Sequence, residues 1–204
     1  MTQASAESIL DFWFGPAARD PVAAGERAGM WFGSSAATDE AIRSRFMPTL
    51  EAATRGDLAA WQAEPRGALA LVLLLDQFPR NAWRGSARAF DCDPQALATS
   101  RAAVAASHLA RLSPVEQAFM ILPFEHSEAL ADQHECVRLF CDLAQSAPEP
   151  WQALLGGYLQ YARQHLEIIE RFGRFPHRNR VLGRESTAAE LEYLHAGGAV
   201  FGQG

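Results

Sequence analysis

The sequence predicts an all-α protein of antiparallel neighbouring helices in a single domain, residues 1–204. Three observations carry this. Helix starts are written out repeatedly: Ser113-Pro114-Val115-Glu116 and Thr187-Ala188-Ala189-Glu190 are capping boxes, and Asp93-Pro94 sets a capping acid before a first-turn proline. The longest apolar run, Ala68 to Leu75, is Ala and Leu with one β-branched residue, Val72, which favours helix over strand. No convincing strand pattern appears elsewhere, and the stretches between helical patterns are short, so consecutive helices should pack antiparallel.

Taken in order, Ser5 caps a short helix carrying Ile9, Leu10, Trp13 and Phe14 that Gly15-Pro16 stops. Residues 16–37, rich in Ala, Gly and Ser, read as a loop anchored by Trp31. Thr38 then caps a helix striped by Ile42, Phe46 and Leu50, with a kink expected at Pro48. Asp57 caps a short helix through Trp61. Gly67 to Phe78 is apolar almost all round, hence a helix buried on most sides, ending at Phe78-Pro79. A helix opens at Asp93-Pro94 and another at Ser113, which Pro123 interrupts before a restart near Phe124. Trp151 to about Phe172 is the longest helix, and a last short one runs from Thr187 to His195.

Composition narrows the chemistry. A net charge of −6 and a pI near 5.5 argue against a general nucleic-acid or anionic-membrane surface. The longest apolar run falls far short of the ~20 residues that span a bilayer. All 18 basic residues are arginine. Without lysine there is no side-chain Schiff base, no pyridoxal-phosphate attachment and no Walker lysine. Cys92, Cys136 and Cys141 have no zinc or CxxC spacing and read as free thiols, and the N-terminus shows no basic signal region. A cytoplasmic setting is expected.

Three polar clusters interrupt the apolar pattern, and two share a Phe-Pro pair followed by Arg and Asn. They are Leu75-Asp76-Gln77-Phe78-Pro79-Arg80-Asn81, Pro123-Phe124-Glu125-His126-Ser127-Glu128, and Arg174-Phe175-Pro176-His177-Arg178-Asn179. Together with Leu10-Asp11-Phe12-Trp13-Phe14 and Leu182 to Thr187, these motifs resemble the bacterial family called domain of unknown function 924. The resemblance covers nearly the whole chain and implies a tetratricopeptide-like fold of stacked antiparallel helix pairs. It implies no activity.

The clusters suggest one polar site. Arg80, Arg174 and Arg178 would hold an anionic group, because planar guanidinium forks suit carboxylates and phosphates. His126, His165 or His177 would move protons, and Asp76 and Glu128 would orient them. Gln77, Asn81 and Asn179 complete the ligand-binding set. His165 shares a helix face with Tyr158 and Tyr161, so a hydrogen-bonded core histidine is the plain alternative. Asp76 must be paired wherever it is buried, with Arg80, Arg84 and Arg178 available. No HExxH or paired ExxH pattern occurs, so no metal site is expected, and no cofactor can be named. The function expected is a small anionic molecule bound at this site, with cofactor-free hydrolysis or proton transfer. The alternative is a peptide- or protein-binding helical scaffold whose motifs are structural staples. Thiol titration under denaturing, non-reducing conditions should count all three cysteines; recovery of one would sink the reading of free thiols.

Overall fold

The computed structural model describes residues 3–201, and helices carry most of that span with no strand among the described residues. Helix α1, Ala6–Trp13, starts where the Ser5 hydroxyl accepts the Ser8 N–H at 3.2 Å, and it buries Ile9, Leu10 and Trp13. The stretch read as a loop contains a helix, α2 (Pro21–Phe32). Its start uses the same Asp-Pro signal read further along: the Asp20 carboxylate accepts the Val22 N–H at 2.9 Å and Pro21 occupies the first position. Gly25 and Gly29 lowered its apparent propensity, and tertiary contacts restore it. Arg27 donates to the Phe12 and Trp13 carbonyls at 2.5 and 2.7 Å, and the Trp31 indole donates to Trp13 at 2.9 Å. These bonds satisfy carbonyls at the end of α1 that have no partner within their own helix.

Helix α3, Ala36–Thr54, is capped by Ser35 rather than Thr38 and runs through Pro48. The segment after Asp57 is a 3-10 turn, Ala59–Ala63. Helix α4, Pro65–Val72, leads without a break into a π-helical turn, Leu73–Gln77, and then α5, Phe78–Ala82. The expected stop at Phe78-Pro79 is therefore absent. The Phe78 N–H bonds to the Leu73 carbonyl five residues back, and this wider turn relieves the clash a proline ring makes with the carbonyl four residues back.

Helix α6 is Asp93–Ala105, with Asp93 as its first residue rather than its cap. Helix α7, Pro114–Glu125, also passes through its proline, Pro123, so the break falls three residues later than expected. Helices α8 (Leu130–Ser146), α9 (Glu149–Phe172) and α10 (Ala188–His195) complete the chain. In the second half sequential neighbours pack together, α7 on α8 and α8 on α9. In the first half the central α4 touches α1, α6 and α7, so pairing there skips along the sequence.

Aromatic rings hold the halves together. Phe119 of α7 lies 5.8 Å from Trp13, 5.2 Å from Phe14, 4.9 Å from Trp31 and 6.5 Å from Tyr158, ring centre to ring centre. It joins α1, α2, α7 and α9 at a point with no solvent exposure. Phe119→Ala should lower unfolding stability by roughly 3–5 kcal/mol in urea titration, because four elements cannot all close on the void. A loss under about 1 kcal/mol would show that this contact is not central.

Candidate functional site

The π turn sets the site's geometry. It places Asp76 and Gln77 at the centre of an apolar helix, and Asp76 has no solvent exposure at all. Such a carboxylate needs partners, and it has three. Gln77 Nε2 donates to it at 2.6 Å, His126 Nδ1 meets it at 2.7 Å, and Arg80 Nη1 lies 3.4 Å away while donating to the Asp76 carbonyl at 2.5 Å. Burial pushes the Asp76 pKa up, but the Arg80 charge and the hydrogen bonds from His126 and Gln77 outweigh it and hold the group below the usual carboxylate range.

His126 comes from the end of α7, where the chain breaks before α8 starts. Gln133 of α8 closes that break, donating to the Glu125 and Ser127 carbonyls at 2.7 and 2.6 Å. Arg178 donates to the His126 carbonyl at 3.0 Å, so the third motif grips the second. Burial, together with Arg80, lowers the His126 pKa against the pull of Asp76. The ring is therefore neutral near pH 7, with Nδ1–H donated to the Asp76 carboxylate and Nε2 left with its lone pair.

Arg178 is buried between the Phe90 and Phe175 rings, 4.9 and 4.5 Å from their centres. It lies 3.6 Å from Asp93, which also takes two bonds from Arg80 at 2.9 and 3.1 Å. This is why Asp93 does not cap its helix. Burial brings the Arg178 pKa down to about 10, and the group stays charged at neutral pH.

These groups face a cavity of about 440 Å³. Gln77, Arg80, Asn81, Arg84, Glu125, His126, His165, His177 and Arg178 form its polar side. Trp31, Phe32, Leu122, Leu154, Tyr158, Tyr161 and Phe201 form most of the remainder, with Ala28, Gly33 and Gly157. The predicted convergence of the three motifs thus holds for seven of the residues named from sequence: Gln77, Arg80, Asn81, His126, His165, His177 and Arg178 line the cavity, and Asp76 lies directly behind His126.

Three others do not line it. Glu128 is clamped by Arg184 at 2.7 and 3.0 Å and accepts the Phe175 N–H at 2.8 Å, so it fastens the turn after α9. Arg174 makes a two-bond pair with Glu190 at 2.6 and 2.8 Å, tying that turn to α10. Asn179 donates to Ser186 at 3.1 Å. Arg84, offered as a partner for Asp76, instead pairs with Asp39 through two 2.9 Å bonds.

Of the two phenols, Tyr158 is buried and Tyr161 is 58% exposed at the cavity's edge. His165 Nδ1 bonds to the Tyr161 carbonyl at 2.9 Å, and the ring stacks on Phe201 with centres 3.6 Å apart. Burial depresses the pKa of His165 well below its usual value and that of His177 to about 3, leaving both neutral.

The residue that sequence reasoning passed over is Glu125. It lines the cavity, its Oε2 is buried without a partner, and its Oε1 is 3.6 Å from His165 Nδ1. Burial, reinforced by Asp76, raises its pKa to about 8. The only signal for it was adjacency to His126, because helical spacing cannot show which of two neighbouring polar residues faces a void. A raised carboxyl pKa means the native state holds its proton more tightly than the unfolded chain. Stability from this group is lost as pH rises between the unfolded value near 4.5 and about 8. Glu125→Gln should therefore gain on the native protein by on the order of 1 kcal/mol per pH unit across pH 5–8, read by urea unfolding. A parallel pH profile in the two proteins would refute the protonated carboxyl.

The comparisons with known proteins agree with this architecture. A solved structure of a protein of unknown function from Agrobacterium tumefaciens shares 38% identity, covers 94% of this chain and 97% of its own, and superposes with a TM-score of 0.78. Among curated proteins nothing matches. The model of a family described as bacterial protein of unknown function (DUF924) matches residues 9–198. With all three polar motifs inside that match, the chain belongs to the DUF924 family.

Proposed function

We propose that the cavity binds a small anionic molecule and performs cofactor-free acid–base chemistry on it, as a proton transfer or a water-driven hydrolysis. One observation carries the reading: His126, held from behind by Asp76, and Glu125, whose pKa burial raises to about 8, line one cavity. Two carboxyls with pKa values driven apart are the arrangement that separates acid from base roles. Ionised Asp76 fixes the His126 tautomer, so Nε2 is the base. Glu125 holds a proton that it can give near neutral pH. Arg178 faces the cavity and supports the ligand's negative charge. Among the described residues no Ser, Thr or Cys lines the cavity, and the chain has no Lys, so hydrolysis here would use a water activated by His126 rather than an attacking side chain of those types.

The scaffold reading draws on Glu128–Arg184, Arg174–Glu190 and Arg101–Asp132, which do fasten helix ends to one another. It leaves unexplained why Asp76, His126 and Glu125 are assembled at a cavity instead. No helix among the described residues is long and apolar enough to cross a membrane. The three unpaired cysteines are in keeping with a reducing cytoplasm.

A thermal-shift screen of small organic acids would find the ligand, and its turnover can then be followed in the native protein and in His126→Gln. The variant should still bind the ligand but turn it over 10²- to 10⁴-fold more slowly, the usual contribution of a positioned base. Undiminished turnover in His126→Gln would remove the acid–base reading.

A further inference from the structure

We propose that the ligand of this cavity is a monocarboxylate on an aromatic or otherwise apolar body, its carboxylate held by Glu125, Tyr158 and the Nε of Arg178. The inference rests on the acid–base reading of the same cavity and narrows it. Three observations lead to it.

The first is the kind of group left without a partner. The Tyr158 hydroxyl, Arg178 Nε and Glu125 Oε2 are all buried, and none makes a hydrogen bond within the protein. Buried polar atoms are nearly always satisfied, so these three, with His177 Nδ1 as a fourth at the same cavity, point to a ligand that completes them. The hydroxyl and the guanidinium N–H are donors, and a protonated Glu125 is a third donor. Donors call for an acceptor, and a carboxylate offers about four lone-pair sites on two oxygens.

The second is charge. Arg80 is held by Asp76 and Asp93, and Arg84 by the two oxygens of Asp39. Arg178 shares Asp93 at the longer distance of 3.6 Å. Three arginines thus meet three carboxylates that are already in place. The cavity can accommodate one further negative charge through proton-bearing donors, whereas a phosphate dianion would find no unpaired cation to match it.

The third is the apolar lining. Trp31, Phe32, Leu122, Leu154 and Phe201 offer a ligand body no hydrogen bonds but ample ring and alkyl surface. Binding energy there comes from removing apolar surface from water, which a bare inorganic anion does not have.

Glu125 makes the site pH-sensitive. Asp76 faces it from the π turn, Cys136 from α8, and Tyr158 and His165 from α9, with His126 beside it in the chain. Two carboxyl groups can share this pocket only while one keeps a proton. Raising the pH through the Glu125 pKa of about 8 therefore opposes binding.

The test is calorimetric titration and thermal shift with phenylacetate, cyclohexanecarboxylate, acetate and inorganic phosphate at equal millimolar concentrations. Phenylacetate and cyclohexanecarboxylate should raise the melting temperature, and acetate and phosphate should not. Phenylacetate affinity should fall about tenfold per pH unit above pH 8 in the native protein. It should stay flat over that range in Glu125→Gln. Tyr158→Phe, which removes one unbonded hydroxyl and little else, should weaken phenylacetate about fivefold. Stabilisation by phosphate alone would overturn this ligand class while leaving the acid–base site standing on its own turnover assay. Equal affinity at pH 7 and pH 10 in the native protein would overturn the carboxylate pairing, and no binding by either apolar acid would end the proposal.

Discussion

A carboxylate with no access to water is the constraint on which this structure turns. Asp76 sits within an apolar helix, where an unpaired charge would cost several kcal/mol. It is satisfied only by bringing in groups from its own turn and from the end of α7: Gln77, Arg80 and His126. Arg80 then takes Asp93 from α6, and Asp93 approaches Arg178 from the turn after α9. Arg178 closes the circuit on the His126 carbonyl. One buried charge is thus linked to the π turn, α5, α6, the end of α7 and the turn after α9.

The π turn lets a helix serve this purpose. The Phe78 N–H bonds to the Leu73 carbonyl five residues back, and this wider turn relieves the clash of the Pro79 ring with the carbonyl four residues back. The wider turn keeps the helix running to Ala82, so Arg80 stays one turn beyond Asp76 and reaches both its carbonyl and its carboxylate. Turns of this kind recur at functional sites because they trade regular backbone bonding for an irregular placement of side chains. Here the same irregularity presents Gln77, Arg80 and Asn81 to one cavity.

The polar motifs divide into two groups with different work. Glu128 with Arg184, Arg174 with Glu190, and Asp132 with Arg101 and Ser127 fasten helix ends and the 173–187 segment to the body. Their carboxylates are met by arginines, and Arg184 Nε is the one atom of these pairs left buried without a partner. The cavity group does the reverse, leaving Glu125, Tyr158, His177 and Arg178 with polar atoms that no protein group meets. Phe201 lies over this group, stacked on His165 and edge-on to His177, so the chain's last described turn forms part of the cavity wall.

Sequence alone determined what depends on local chemistry. The all-α class followed from capping residues and from the Ala/Leu content of the apolar runs, since helix starts and propensity act over a few residues. The capping box at Thr187 forms as read, and at Ser113 the Glu116 carboxylate accepts the Ser113 N–H at 2.9 Å. The need of Asp76 for partners was legible too, because a charge in an apolar helix is costly in any fold. What remained hidden depends on distance through space. Helix α2 was obscured because its glycines weaken local propensity, while Arg27 and Trp31 secure it by contacts to α1. The π turn was unreadable because a proline in an apolar helix does not by itself show whether the helix ends or widens around it. Glu128 and Glu125 lie three residues apart with similar chemistry, yet one meets Arg184 and the other faces a void where burial holds its proton in place. Only tertiary structure could assign those roles, because a carboxyl's partners and its water are set by the elements that pack around it and not by its neighbours in the chain.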